Sequence, residues 1–102
     1  MKQVSILGCT GSIGTQSLDV CEKAGYGVHT LCAHKNITLL EEQARKFRPK
    51  LVIVTDEEAG KTLKTRLADT DIPVRTGFDS LLEAVKDPSQ DVIINSLMGV
   101  LG

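Results

Sequence analysis

Three glycines near the N-terminus have the spacing of a phosphate-binding turn. Gly8, Gly11 and Gly14 form the pattern G-x-x-G-x-x-G between the apolar run "VSIL" at 4–7 and a stretch of helical periodicity. Gly8 could make the sharp turn out of a strand, Gly11 could let the backbone approach a phosphate, and Gly14 could let a helix pack closely on the sheet. Because helix N-termini attract anions, the pattern predicts a pyrophosphate site.

The residues around these glycines support binding of a dinucleotide. Thr10 and Ser12 add hydroxyl donors to the same turn. The turn follows a strand and opens a helix at the start of a βαβ unit, which is the context that a dinucleotide-binding motif requires. A Walker-type site is excluded because no Gly-Lys-Ser/Thr sequence follows. The alternative is a structural turn in which glycine serves only for its positive φ.

The end of the second predicted strand indicates which dinucleotide is bound. The run "VHTLCA" at 28–33 is followed by His34, Lys35 and Asn36, without the carboxylate that usually binds the ribose of NAD. A lysine and an asparagine offer a cation and a neutral partner to a 2′-phosphate, which favours NADP(H). The alternative is that Lys35 is a solvated loop charge and Asn36 a helix cap.

Strand-like and helix-like segments alternate along the chain. Apolar runs at 4–7, 28–33, 51–54 and 92–94 predict strands, and a further short strand is possible near Val74 and Arg75. Such alternation predicts an α/β fold, a doubly wound and mostly parallel Rossmann-like sheet with helices on both faces. On the first helix, one apolar face is expected to comprise Ile13, Leu18, Cys21 and Ala24.

Polar residues predict where the later helices begin. Thr38 with Glu41, and Ser80 with Glu83, have the spacing of capping boxes. Asp56 directly follows a strand and is expected to cap the third helix.

Composition excludes several classes of function. A net charge of −1, scattered basic residues and 3% aromatic residues argue against a nucleic-acid partner. The apolar runs are far shorter than the ~20 residues that span a bilayer, so no membrane partner is expected. No signal peptide precedes the first strand, which predicts a cytoplasmic protein. The three cysteines lack metal-site spacing and are expected to be buried or half-buried thiols.

Three stretches of the chain resemble the 1-deoxy-D-xylulose 5-phosphate reductoisomerase family. They are "KQVSILGCTGSIGTQSLDV" at 2–20, "AHKNITLLEEQARKFRPKLVIV" at 33–54 and "DVIINSLMGVLG" at 91–102. The "TGSIG" core with the downstream "KN" is the specific part, since many short-chain and epimerase-type enzymes have T-G-x-x-G without it.

The resemblance implies that residues 1–102 are the NADPH-binding domain of an oxidoreductase. The family converts 1-deoxy-D-xylulose 5-phosphate, a phosphorylated sugar, into 2-C-methyl-D-erythritol 4-phosphate in non-mevalonate isoprenoid biosynthesis. A divalent Mg²⁺ or Mn²⁺ ion assists the rearrangement, and NADPH reduces the resulting aldehyde. A homodimer is implied for the full-length enzyme.

The resemblance also implies which residues contact the cofactor. Thr10 to Ile13 would surround the phosphates, His34 to Asn36 would lie on the adenosine and 2′-phosphate side, and Met98 and Gly99 would lie near the cofactor. His34 departs from the glycine often found there. With the two outer glycines, the expected set is Gly8, Thr10, Gly11, Ser12, Ile13, Gly14, His34, Lys35, Asn36 and Gly99.

Catalytic residues and metal ligands are not expected within this chain. The family's metal-binding carboxylates and phosphate-clamping loop lie in a central domain beyond residue 102, and the chain ends in a buried-looking strand followed by small and apolar residues. We therefore expect an N-terminal piece of a longer enzyme, inactive by itself. Two alternatives stay open: a stand-alone dinucleotide-sensing module, and the cofactor domain of another NADP-dependent oxidoreductase such as a semialdehyde dehydrogenase.

Overall fold

Strands and helices alternate throughout the computed structural model, which describes residues 2–96. In chain order the elements are β1 (Gln3–Leu7), α1 (Ser12–Ala24), β2 (Gly27–Ala33), α2 (Ile37–Phe47), β3 (Leu51–Val54), α3 (Glu57–Arg66), β4 (Val74–Thr76), α4 (Phe78–Ala84) and β5 (Val92–Asn95). Every predicted strand is present, including the short one at Val74 and Arg75.

The five strands form one parallel sheet in the order β4-β3-β2-β1-β5. Leu18 of α1, Leu40 of α2 and Leu63 of α3 belong to one buried cluster, so these helices cover one face. Leu81 of α4 packs with Leu7 in a second cluster on the opposite face. The predicted doubly wound α/β fold, Rossmann-like with helices on both faces, is confirmed. The strand order reverses at β1, which is where such sheets bind ligands.

Helix α1 buries a different face from the one predicted. Leu18 and Cys21 are buried as expected, but Ile13 is 62% exposed and Ala24 is also exposed. Gly14 is the buried residue of the first turn. It lies four residues before Leu18, whereas Ile13 is rotated by about 100° from Gly14 around the helix axis. The apolar face predicted from the sequence was therefore wrong at both of its ends.

The start of α3 agrees with the prediction, and the start of α2 does not. Asp56 caps α3, since its Oδ2 accepts a hydrogen bond of 2.9 Å from the Ala59 N–H. The box predicted from Thr38 is wrong, because Asn36 caps α2 through a 3.3 Å bond from the Leu39 N–H to its Oδ1. The helix therefore begins two residues before the position predicted from Thr38. Thr38 lies within the first turn, and the free N–H of Leu39 is bonded by Asn36.

The capping box predicted at Ser80 is also wrong. Gly77 precedes α4 with a φ of 91° and provides no side-chain cap. The Ser80 hydroxyl instead donates a 2.8 Å hydrogen bond to the Thr76 carbonyl. Ser80 thus lies one turn inside the helix and bonds back to the residue four positions earlier.

Strand β5 is less buried than its apolar sequence predicted. Among the described residues it pairs only with β1, and its side chains alternate between half-buried and exposed. Val92 and Ile94 pack against the cluster under α1, whereas Ile93 is 40% exposed. An apolar run by itself could not distinguish a central strand from an edge strand.

A glycine sets the distance between α3 and β4. A side chain at Gly60 would bring its Cβ to 2.1 Å from Thr76 Cγ2 and to 3.2 Å from Thr76 Cβ. Gly60 therefore lets the helix pack directly against the edge of the sheet.

We predict that Gly60→Ala lowers the free energy of unfolding by about 1–3 kcal/mol, as overpacking typically does. Thr76→Ser removes the methyl that would lie at 2.1 Å and keeps the Cβ at 3.2 Å, so Gly60→Ala should cost clearly less in that background, where alanine is also the better helix former. Urea unfolding of the parent, both single variants and the double variant measures this coupling. An equal cost of Gly60→Ala in both backgrounds would contradict the packing argument.

Candidate functional site

The turn between β1 and α1 is fixed to the neighbouring strand. Gly8 has a φ of 84°, in the left-handed region that favours glycine. The N–H groups of Gly8 and Cys9 both donate to the Cys32 carbonyl of β2, at 2.7 and 3.0 Å. The Gly11 N–H donates to the Gly8 carbonyl at 3.1 Å, which closes the turn.

Two of the three glycines are required by the protein's own packing. A Cβ at Gly14 would lie 2.2 Å from the Gly8 carbonyl oxygen and 2.6 Å from Cys9 Cα. A Cβ at Gly8 would lie 2.8 Å from Ser96 Oγ. Helix α1 can begin directly above the end of β1 because Gly14 has no side chain, and Ser96 can approach the turn because Gly8 has none.

Gly11 has no such requirement. Its φ of −82° suits any residue, and a Cβ there would meet only the Gly8 carbonyl oxygen at an ordinary 3.6 Å. As the N-cap of α1 it provides no side-chain hydrogen bond, although serine or aspartate would be a better cap. Glycine at this position leaves open a space that no side chain within residues 2–96 fills.

Two of the residues that line this space, Ser12 and Ile13, have unused backbone N–H donors within residues 2–96. Gly11, Ser12, Ile13 and Ser96 line a cavity of about 230 Å³. Within residues 2–96, the N–H groups of Ser12, Ile13 and Gly14 make no backbone hydrogen bond. In the same range, the hydroxyls of Thr10 and Ser12 donate to no partner. The first turn of α1 has no acidic residue. The donors and the helix dipole together suit a phosphate group.

Ser96 is a site residue that the sequence reasoning missed. Its hydroxyl lies 2.8 Å from the Leu7 carbonyl and 3.1 Å from the Gly8 carbonyl, and its N–H donates to Leu7 at 2.8 Å. It ties the end of β5 to the glycine turn. The available signal was its position, because it is the second polar residue after an apolar strand whose carboxyl end meets that of β1.

The residues predicted to recognise the 2′-phosphate lie at the carboxyl end of β2, the strand beside β1. All three are exposed. His34 Nδ1 lies 2.7 Å from Thr55 Oγ1 after β3, and Lys35 forms no ion pair with any residue described. The Asn36 oxygen caps α2, so the structural alternative is correct for that atom. Its NH₂ group is not used by the cap and remains available as a donor.

Gln43 is a second residue that the sequence reasoning missed. It lies on α2, is 7% exposed and donates from Nε2 to the Cys9 carbonyl at 2.7 Å. A glutamine on a helix gives no sequence signal for such a contact, since only the fold brings α2 to the glycine turn.

The cysteines near the site are not poised for chemistry. Cys9, Cys21 and Cys32 are all buried free thiols, as predicted. Burial raises the pKa of the Cys32 thiol to about 12, and burial together with the neighbouring Cys32 raises the pKa of Cys9 well above its usual range. Both thiols are therefore protonated and unreactive at neutral pH.

Gly99, predicted to contact the cofactor, lies outside the described residues, as does Met98. Within residues 2–96, no group of three or more His, Cys, Asp or Glu side chains is placed to hold a metal ion. No helix in that range is long and apolar enough to cross a membrane.

A parallel α/β sheet with a glycine-rich first turn at its switch point defines the class of Rossmann-like domains. A sequence profile of the 1-deoxy-D-xylulose 5-phosphate reductoisomerase family matches residues 4–102. The chain belongs to this family.

The relatives agree with this assignment. The chain is 47% identical to the 1-deoxy-D-xylulose 5-phosphate reductoisomerase of Agathobacter rectalis, over 100% of this chain and 27% of the relative. It is 34% identical, with a TM-score of 0.77, to the Zymomonas mobilis enzyme solved in complex with NADPH, over 81% of this chain and 22% of that one. A reductoisomerase solved with magnesium has the same fold, with a TM-score of 0.92 at 24% identity over 100% of this chain and 26% of that one.

The chain thus spans about a quarter of the length of the curated relatives it matches. Membership of this family sets aside the alternative of a semialdehyde dehydrogenase.

The different roles of the glycines predict different effects of the same substitution. Gly14→Ala should lower the free energy of unfolding by about 3 kcal/mol or more, because the new Cβ collides with backbone that cannot move aside. Gly11→Ala should cost less than about 1 kcal/mol, the difference between glycine and alanine at an N-cap. Chemical denaturation of the two variants measures both values, and equal destabilisation would refute the distinction.

Proposed function

We propose that this chain is the NADPH-binding part of an enzyme that converts 1-deoxy-D-xylulose 5-phosphate into 2-C-methyl-D-erythritol 4-phosphate, for non-mevalonate isoprenoid biosynthesis. Membership of the family supports the reaction. A related structure solved with NADPH supports the choice of cofactor. NADPH would supply the hydride that reduces the aldehyde formed by the rearrangement.

The observation that carries the cofactor proposal is the geometry at Gly11. Neither φ nor packing requires glycine there, yet the position opens onto the free N–H groups of α1. A pyrophosphate approaching the turn would occupy the space that a Cβ would fill, and it would accept hydrogen bonds from Ser12 and Ile13. The proposed cofactor-binding residues of the turn are Gly8, Thr10, Gly11, Ser12, Ile13 and Gly14. Of these, Thr10 to Ile13 would surround the phosphates, and Gly8 and Gly14 would shape the turn.

The end of β2 supports NADPH over NADH. No carboxylate follows Ala33, so the usual partner of a free ribose 2′-hydroxyl is missing. The Lys35 ammonium and the Asn36 NH₂ group would both donate to a 2′-phosphate, and His34 would lie near the adenosine. Because the Asn36 cap uses only its oxygen, capping and phosphate binding are compatible.

The relatives are longer than this chain, and we assign the remaining chemistry to segments of that additional length. No metal-binding cluster is present within residues 2–96. We propose that a Mg²⁺ or Mn²⁺ ion and the phosphorylated sugar bind to segments that the longer relatives contain. Gly99 stays a predicted cofactor contact, and a homodimer stays a prediction from the family. A cytoplasmic location is supported by the three free thiols.

The first test is cofactor binding by the Gly11→Ala variant. Its methyl group would occupy the pyrophosphate space, so affinity for NADPH should fall at least about tenfold while the fold is kept. Fluorescence titration of the chain with NADPH measures affinity, and circular dichroism checks folding. Unchanged affinity in a folded variant would contradict the proposed pyrophosphate site.

The second test separates the two cofactors. Lys35→Glu should weaken NADPH binding about tenfold and leave NADH binding within about twofold, because only NADPH has the 2′-phosphate. Lys64→Glu is the matched control, since Lys64 lies in the last turn of α3, away from the carboxyl edge of the sheet. Equal losses for NADPH and NADH, or an equal effect of the control, would argue against the role of Lys35.

A further inference from the structure

One buried polar side chain joins α2 to the glycine turn. Gln43 donates to the Cys9 carbonyl at 2.7 Å, across 34 residues of sequence. Because a carbonyl oxygen can only accept, the atom that faces it must be the amide nitrogen. The bond is buried, and water therefore competes little for it.

This bond fixes the direction of the next donor in the turn. The C=O and N–H of a trans peptide point in opposite directions, and the described residues contain no cis peptide. With the Cys9 carbonyl directed inward to Gln43, the Thr10 N–H is directed outward. It makes no backbone hydrogen bond within residues 2–96. It is therefore directed to the side of the turn that faces away from Gln43.

Folding stability gives only a weak reason for glutamine at this position. Gln43 Oε1 is buried without a hydrogen-bond partner in the described part of the chain. An unpaired buried acceptor destabilises the fold, which offsets much of what the Nε2 bond contributes. A role in holding the turn for a ligand explains why a polar side chain is placed here.

We propose that Gln43 is a positioning residue for the cofactor pyrophosphate. It holds the Cys9–Thr10 peptide so that the Thr10 N–H joins the donors of α1 at the phosphate. Gln43 lies seven residues after Asn36, nearly two helical turns and ~10 Å along α2, and on the same side of the helix. One helix therefore contacts both ends of the site. This inference rests on the proposed binding of NADPH.

The main experiment compares two variants of α2 in the full chain. Gln43→Leu removes the donor and should weaken NADPH and NADH alike, about tenfold, because both cofactors carry the pyrophosphate. Ala44→Gly perturbs the neighbouring buried residue without touching the turn, and should lower stability while leaving affinity within about twofold. Parent-like affinity in folded Gln43→Leu, or an equal loss in Ala44→Gly, would overturn the proposal.

A second variant tests the direction of the hydrogen bond. In Gln43→Glu, burial and the facing carbonyl should raise the pKa of the new carboxyl, whose protonated form can donate to Cys9. Binding of NADP⁺ relative to the parent at the same pH should be weak at pH 8 and recover towards pH 5. Asp19, Glu22, Glu42 and Lys46 line the groove beside Gln43 in both proteins, which is why binding is compared with the parent at each pH. A ratio that does not change with pH would overturn the proposal.

The parent chain provides a measurement that needs no variant. In ¹⁵N-labelled protein, added NADP⁺ should shift the side-chain amide resonances of Gln43 with the same dissociation constant as the Gly11 and Ser12 backbone amides. Unshifted Gln43 resonances beside shifted backbone amides would overturn the role of Gln43 alone. If the parent bound no NADP⁺ at all, the proposed function itself would fail.

Discussion

The close approach of α1 to its own turn is the constraint on which the rest of the site depends. The space that a side chain at Gly14 would need is already filled by the Gly8 carbonyl and by Cys9. The helix therefore begins immediately above the end of β1 and leaves its first N–H groups at the carboxyl edge of the sheet. Because the strand order reverses at β1, this edge is also where the crevice of the fold opens. The missing side chain of Gly14 therefore explains both how α1 packs on β1 and where the first N–H groups of α1 lie.

Backbone and side-chain bonds from three directions hold the turn in this position. The Cys32 carbonyl of β2 accepts hydrogen bonds from two N–H groups of the turn. The Ser96 hydroxyl after β5 lies within hydrogen-bond distance of the Leu7 and Gly8 carbonyls, and Gln43 of α2 donates to the Cys9 carbonyl. The hydrogen-bond donors of a phosphate site held in this way are aligned before the ligand binds. Binding therefore loses little backbone conformational entropy. None of these three contacts is local in sequence.

The sequence therefore predicted the framework better than the details of the site. The positions of the strands follow from short apolar runs, and the turn between β1 and α1 follows from glycine spacing; both elements were found in the structure. The helix starts were harder to predict, because Asn36 and Thr38 are both good caps and only the path of the chain decides between them. Ile13 was assigned to the buried face of α1, but the buried residue of the first turn is Gly14, one position further along the helix. Gln43 could not be found, since its partner lies 34 residues away. Ser96 was missed although its position after β5 was a signal, because its partners lie 88 and 89 residues away.

The two ends of the proposed cofactor site use different physical interactions. At the glycine turn the donors are backbone N–H groups, which carry no net charge and lose no side-chain entropy when they bind. At the end of β2 the cation is Lys35, an exposed and flexible ammonium whose attraction is screened by salt. The rigid turn should therefore provide most of the affinity, which NADPH and NADH share. Discrimination between them rests mainly on one solvated charge, so it should weaken with ionic strength while binding at the turn persists.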